Sequence, residues 1–279
     1  MHPAQLVAAI MLVTLTFGSG LQVDRAHLLA VIKNARLLGG ALIANFVLVP
    51  AFGWLLAKAF RLPPPIATGF LLMAIAPGVP FVLVQVRKKG GSLGLAVALA
   101  LFLPLLSIVT VPITAALLLP TEAEAQLPLG RFVMTLLLFQ VVPLLLGIVV
   151  GGRAPGVAQR FGRPLQIVFL LAVVTLLVLL FPTIVRDVGL IYGSGGMLAA
   201  LCLVVLSAIT GWLLGGPASE ERRVLAIGTG LRNIGLAALI STSSFTDSDV
   251  AAMVIAYLLA QFLVIGIVGA YFTRTAKAE

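Results

Sequence analysis

Long apolar runs alternate with short polar breaks along the whole chain. A helix needs about 20 apolar residues to cross the roughly 30 Å of bilayer hydrocarbon, and runs of that length recur throughout. Nine can be drawn, at 4–20, 36–58, 66–86, 92–119, 131–151, 164–185, 195–215, 222–242 and 249–272. The pattern predicts an all-α polytopic membrane protein of about nine transmembrane helices. The breaks carry turn residues and charges, as in Arg61-Leu62-Pro63-Pro64-Pro65, Arg87-Lys88-Lys89-Gly90-Gly91, Pro120 to Pro128, and Gly216-Pro217. The first run follows Met1-His2-Pro3 with no basic stretch before it, so it reads as a span rather than a cleaved leader. No large extramembrane domain is expected.

Two of the runs are interrupted at their centres. The third contains Ala76-Pro77-Gly78-Val79-Pro80. A proline inside a helix removes a backbone hydrogen bond and clashes with the preceding turn, at about 3 kcal/mol. That span is either a kinked packing helix or a discontinuous helix with freed backbone groups facing a cavity. The eighth contains Gly228-Thr229-Gly230-Leu231-Arg232-Asn233-Ile234-Gly235, whose glycines predict a weak helix that can open.

Composition narrows the class. The chain is 61% hydrophobic and 10% charged, with a mean hydropathy of +1.19. A soluble domain carries about 25% charged residues, so a water-facing surface is excluded. The net charge of +9 reads as basic loops on one membrane face rather than as an acidic or nucleic-acid partner. The single Cys202 lies in an apolar run, forms no internal disulfide, and reads as a packing residue.

The basic residues give an orientation. One set of loops holds Arg25, Lys33, Arg36, Arg87, Lys88, Lys89, Arg153, Arg160, Arg163, Arg222, Arg223, Arg274 and Lys277. The opposite set holds Lys58, Arg61, Arg131 and Arg186. The bias places the C-terminus in the cytoplasm and, with nine spans, the N-terminus outside the cell (inner) membrane. Of the 18 Lys and Arg, Arg232 alone falls deep within a span.

An internal repeat is suggested by Gly53-Trp54-Leu55-Leu56, which recurs as Gly211-Trp212-Leu213-Leu214. Each copy ends a span that precedes an interrupted one. The two triplets, 36–119 and 195–272, then lie in inverted orientation within halves 1–119 and 131–275. Paired interrupted helices in inverted halves are the mark of a secondary transporter with its site near the midplane.

Arg232 needs partners, because an arginine centred in hydrocarbon costs about 2.5–3.5 kcal/mol on insertion scales. No predicted span holds Asp, Glu or His, apart from Asp249 at the first residue of the last. Helix-end carbonyls, Asn and Gln side chains, water or an anionic substrate remain. Either Arg232 is a structural residue satisfied by carbonyls, or it binds an anion or replaces a bound cation. Asn233 either orients it, binds ligand or caps a helix. Asn45, Gln140 and Gln261 are mid-span polar residues that read as interhelical hydrogen bonds or ligand contacts. The candidate substrate-binding set is Arg232, Asn233, Asn45, Pro77, Gly78, Thr229, Gly230 and Gln261. The missing carboxylates and histidines leave a membrane enzyme without a base or metal ligand.

The chain resembles the bile acid:sodium symporter family over nearly its whole length. The resemblance rests on Pro77-Gly78 followed by Lys89-Gly90 and a long span, on Gly230-Leu231-Arg232-Asn233-Ile234-Gly235-Leu236-Ala237, and on Asn45-Phe46-Val47-Leu48-Val49-Pro50. It implies a bacterial, nine-helix form lacking the family's first helix. It also implies a core domain of two triplets whose broken helices cross, and a panel domain from the remaining spans. The sodium-site positions implied by the resemblance are largely substituted: Val82, Leu83, Ala96, Ala100 and Gly228 stand where the family has oxygen-bearing side chains. Arg232 stands at a family Gln, and Asn45 at another. Sodium is therefore possible but not expected, and no other cofactor or metal is implied. The expected activity is alternating-access transport of a small organic anion, with Arg232 in place of bound sodium. A sodium-coupled symporter with backbone-dominated sites, and a channel or ligand-sensing membrane protein, are the alternatives. The bilayer and the substrate are the expected partners.

Overall fold

The computed structural model describes residues 2–23, 35–78, 92–124 and 129–276. Regular structure among these residues is helical, with no strand. Helix α1 spans Pro3–Gly20, α2 Ala35–Ala59, α3 Pro64–Ile75, α4 Leu93–Leu118, and α5 Gly130–Arg153. Then follow α6 (Pro155–Gly193), α7 (Gly196–Leu214), α8 (Ser219–Gly230), α9 (Ile234–Ser244) and α10 (Ser248–Thr275). Counting α8 and α9 as one interrupted span, eight segments are long and apolar enough to cross a bilayer, and α3 is a ninth, shorter apolar helix. The protein is a polytopic helical membrane protein, as the hydropathy pattern predicts.

The predicted span 66–86 appears as α3 up to a break at Ala76; its second half, with Pro80, Val82 and Leu83, lies outside the described residues. So do Arg25, Lys33, Arg87, Lys88, Lys89 and Lys277. Helix α6 is longer than predicted, at 39 residues. It runs on through Arg186 and Asp187 and stops at Ser194-Gly195, where Gly195 takes φ 77°. The charged pair that reads as loop lies on the helix, with Arg186 Nε on Asp187 Oδ1 at 2.7 Å and Arg186 Nη2 donating to Ser248 Oγ of α10.

Two helices carry a five-residue π turn, at Ala44–Leu48 in α2 and Leu137–Val141 in α5. The local sequence accounts for both, because each π turn is followed by Val-Pro, Val49-Pro50 and Val142-Pro143. The valine N–H reaches back five residues, to Ala44 O and to Leu137 O. The proline has no N–H, so the next carbonyl in the π register, Asn45 O or Leu138 O, is left without a helical partner.

Helix α1 packs mainly on α5 and α6, whereas α7 packs on α8 and α10, and α10 on α3. The α1–α5 contact is backbone to backbone. A Cβ at Gly147 would lie 2.3 Å from Phe17 O, and one at Gly151 2.6 Å from Leu21 O. Glycines spaced four apart let two helices approach this closely where lipid offers no hydrophobic drive for association.

Candidate functional site

The site is assembled where the two broken helices meet. Helix α3 ends because Ala76 N–H still reaches Leu72 O, at 3.1 Å, whereas the next residue is a proline. Pro77 has no N–H to offer Met73 O. Gly78 N–H turns away from Ala74 O and donates to Asn45 Oδ1 at 3.1 Å. Two carbonyls at the negative end of α3 are thereby left open.

Arg232 takes both. Its Nε donates to Met73 O at 3.2 Å and its Nη2 to Ala74 O at 2.5 Å. Nη2 also faces Asn45 O at 3.4 Å, and Nη1 donates to Asn45 Oδ1 at 3.0 Å. Each of the three backbone acceptors is a carbonyl that a helix breaker leaves without its helical partner: Pro77 for Met73, Gly78 for Ala74, and Pro50 for Asn45. Arg232 is 3% exposed, and no described Asp or Glu pairs with it. A buried guanidinium is thus held by four neutral oxygens, in charge-assisted bonds stronger than ordinary ones.

The second break has a different cause. Helix α8 runs intact through Gly228, Thr229 and Gly230, so these glycines do not open it. It ends at Leu231, whose N–H still reaches Ile227 O. Tertiary partners then replace the helical ones. Gln261 Oε1 of α10 accepts from Arg232 N–H at 3.0 Å, and Ala76 O faces Asn233 N at 3.5 Å. Asn233 restarts the helix, its Oδ1 accepting from Leu236 N–H at 3.1 Å.

The crossing itself is as close as two backbones can come. A Cβ at Gly78 would fall 1.6 Å from Gly228 O and 2.7 Å from Leu231 O. Only glycine fits there. Asn45 ties the crossing to α2: besides its two acceptor contacts, its Nδ2 donates to Ala41 O at 3.0 Å and faces Thr229 Oγ1 at 3.5 Å. The predicted residues Arg232, Asn233, Asn45, Pro77, Gly78, Thr229 and Gln261 are therefore brought together. Gly230 is set apart: a Cβ there would meet Ile265 Cδ1 of α10, so it serves helix packing. Ala96 and Ala100 lie on α4, buried among Leu37, Ala41 and Val224, and offer no oxygen ligand.

Gln140 joins the site through its π turn. Its Oε1 accepts from Asn233 Nδ2 at 3.1 Å, and its Nε2 donates to Ser107 Oγ and to Pro104 O of α4. The crossing is thereby linked across to α4 and α5. Ser107 and the carbonyls of Met73 and Ala74 were not singled out by sequence. Neither was Tyr257, fully buried beside Phe70, whose hydroxyl has no hydrogen-bond partner among the described residues. Its position one helical turn before Gln261 on α10 was the available signal. Beside the crossing lies a cavity of about 20 Å³, bordered by Leu15, Phe169, Arg232, Asn233, Gln261 and Phe262.

The profile of the sodium bile acid symporter family matches residues 9–192. The chain belongs to that family. The matched segment contains the first break and both π turns, and it ends before Arg232. Among curated relatives, the P3 protein of Bos taurus is 25% identical over 78% of this chain and 46% of its own length. The probable sodium/metabolite cotransporter BASS2, chloroplastic, of Oryza sativa subsp. japonica is 25% identical over 78% of this chain and 52% of its own. The uncharacterized sodium-dependent transporter YocS of Bacillus subtilis (strain 168) is 23% identical over 85% and 74%. The chain spans about half the length of several curated relatives it matches. Membership of the symporter family makes the chain a transporter-family protein rather than an enzyme.

Proposed function

We propose that the protein is a secondary transporter of small organic anions that works by alternating access, with the Arg232 guanidinium occupying the place of a bound sodium ion. One observation carries this reading: Arg232 is ligated by carbonyl and amide oxygens alone, the ligand type a hard cation would take. The charge is permanent and has no described carboxylate to cancel it. In a low-dielectric interior such a charge attracts an anion strongly. The guanidinium commits four of its five N–H groups to protein oxygens. It therefore supplies field and scaffold, and the substrate's direct contacts fall to groups bordering the adjacent cavity, among them Asn233 and Gln261, once movement of the panel off the core widens that water-sized space.

In this reading α1, α5 and α6 act as the panel and the crossing helices as the core. The Asn233–Gln140 hydrogen bond holds the two together when the site is closed. Inverted triplets 36–119 and 195–272 would give the core its two-sided access. The basic-loop bias supports a cytoplasmic C-terminus in this reading. The relatives' sodium-dependent names favour a second reading, a sodium symporter whose ion is held by backbone carbonyls.

Uptake of labelled organic anions into proteoliposomes, with taurocholate as the first probe, separates the two. The first reading expects the same uptake in sodium as in equimolar potassium. Uptake that is strictly sodium-dependent refutes it.

A further inference from the structure

Away from the crossing, a cavity of about 450 Å³ opens between the start of α2 and the end of α7, beside the first turn of α8. It is lined by Arg36 and Leu37 of α2, Leu213 of α7, Gly216 of the connection, and Glu221 and Arg222 of α8. Gly216 lines it directly, next to Gly215. A Cβ at Gly215 would lie 2.4 Å from Arg222 Cα, so the connection rests directly on the α8 backbone. Gly216 takes φ 76°, a left-handed turn, and its carbonyl accepts from Arg222 Nε at 2.6 Å. The Arg222 guanidinium also lies over the Trp212 ring, 5.8 Å from its centroid. Arg222 is therefore held in place at the cavity wall.

Neither Arg36 nor Arg222 forms an ion pair with a described Asp or Glu. Two guanidinium groups against the one Glu221 carboxylate leave the described lining with a charge of plus one. Leu213 is 72% exposed and turns an apolar flank outward beside these charges. A cavity that is cationic on one side and continuous with bilayer-facing leucine on the other suits an amphipathic anion. Basic pockets between transmembrane helices recognise lipid headgroups in this manner.

We propose that this cavity binds the headgroup of an anionic phosphodiester lipid, phosphatidylglycerol in kind. Its single negative charge matches the lining, Arg36 and Arg222 donate to the phosphate oxygens, and Glu221 accepts from a headgroup hydroxyl. The acyl chains lie along the α7 flank at Leu213. None of the described residues lining the cavity belongs to the crossing, so the proposal is independent of the transport reading.

The test is competitive lipid retention on purified full-length protein, read by native mass spectrometry with phosphatidylglycerol, phosphatidylethanolamine and phosphatidylcholine at equal concentration. Wild type is expected to retain phosphatidylglycerol preferentially. Each arginine near an anionic headgroup is worth about fivefold, so Arg36→Gln loses about fivefold in that preference and Arg36→Gln/Arg222→Gln about 30-fold. Arg153→Gln, at the end of α5 and outside the cavity, keeps the wild-type preference. The proposal is overturned by an unchanged preference in Arg36→Gln, which alters an exposed side chain and leaves the Arg222 contacts intact. It is overturned equally by a matching loss in Arg153→Gln, by retention of phosphatidylethanolamine as tight as that of phosphatidylglycerol, or by displacement of the lipid with equimolar glycerol phosphate.

Discussion

Replacing Arg232 by alanine removes a cation and leaves its ligands in place. Three backbone carbonyls, of Met73, Ala74 and Asn45, lose the donor they have in this structure, whereas Asn45 Oδ1 keeps Gly78 N–H. A buried carbonyl without a partner costs about 1–3 kcal/mol, and relief of the buried charge returns about 2.5–3.5 kcal/mol. At the middle of each range the carbonyls cost about 6 kcal/mol and the relieved charge returns about 3, leaving about 3 kcal/mol of net destabilisation. For a chain of this size that is a fall in Tm of about 6–12 °C. The decisive feature is what sodium then does. The emptied cluster of oxygens is a ligand set for a hard cation, and a site filled at ten times its Kd returns about 1.4 kcal/mol. Thermal unfolding in sodium chloride against equimolar choline chloride should raise the Tm of Arg232→Ala and Arg232→Gln and leave wild type unchanged. Arg232→Lys keeps the charge but only a single ammonium, and should fall between wild type and alanine in both stability and uptake. Unfolding of Arg232→Ala at the wild-type temperature, or sodium stabilising wild type as much as the variants, would overturn the assignment of Arg232 to a cation's place.

Gly78→Ala should disrupt the crossing, because its Cβ would overlap Gly228 O; near-wild-type Tm and uptake would refute the close approach. Pro77→Ala restores an N–H able to reclaim Met73 O, so it should lower uptake with little loss of helix, measured by circular dichroism beside transport. Gln140→Leu leaves Asn233 Nδ2 without its partner, at about 1–3 kcal/mol. It should speed hydrogen exchange at the start of α9 and alter uptake, whereas Gln140→Glu, which can still accept that bond, should keep exchange near wild type.

The spans were legible because bilayer thickness fixes their length, and Arg232 stood out because hydrocarbon makes a central cation costly. Pro77-Gly78 was legible as a break for its missing N–H. What each break serves was not legible. The carbonyls that hold Arg232 belong to residues 158, 159 and 187 positions away in the chain, and a backbone acceptor leaves no mark on side-chain pattern. The glycines around Arg232 read as flexibility, yet α8 stays helical through them; Gly230 serves close packing instead, and the Gly228 carbonyl lies against Gly78. Gln140 and Gln261 do make the interhelical bonds that mid-span amides predict, but their partners emerge only from the fold. The paired Val-Pro steps after Asn45 and Gln140 were visible in the sequence and would have marked both π turns.

Whether Arg232 stands where sodium would bind is decided by equilibrium binding of radioactive sodium to the purified wild-type protein, with Arg232→Gln measured beside it. Wild type should show no saturable binding and the variant a saturable site. Saturable sodium binding in wild type, undiminished by the presence of the arginine, would contradict it.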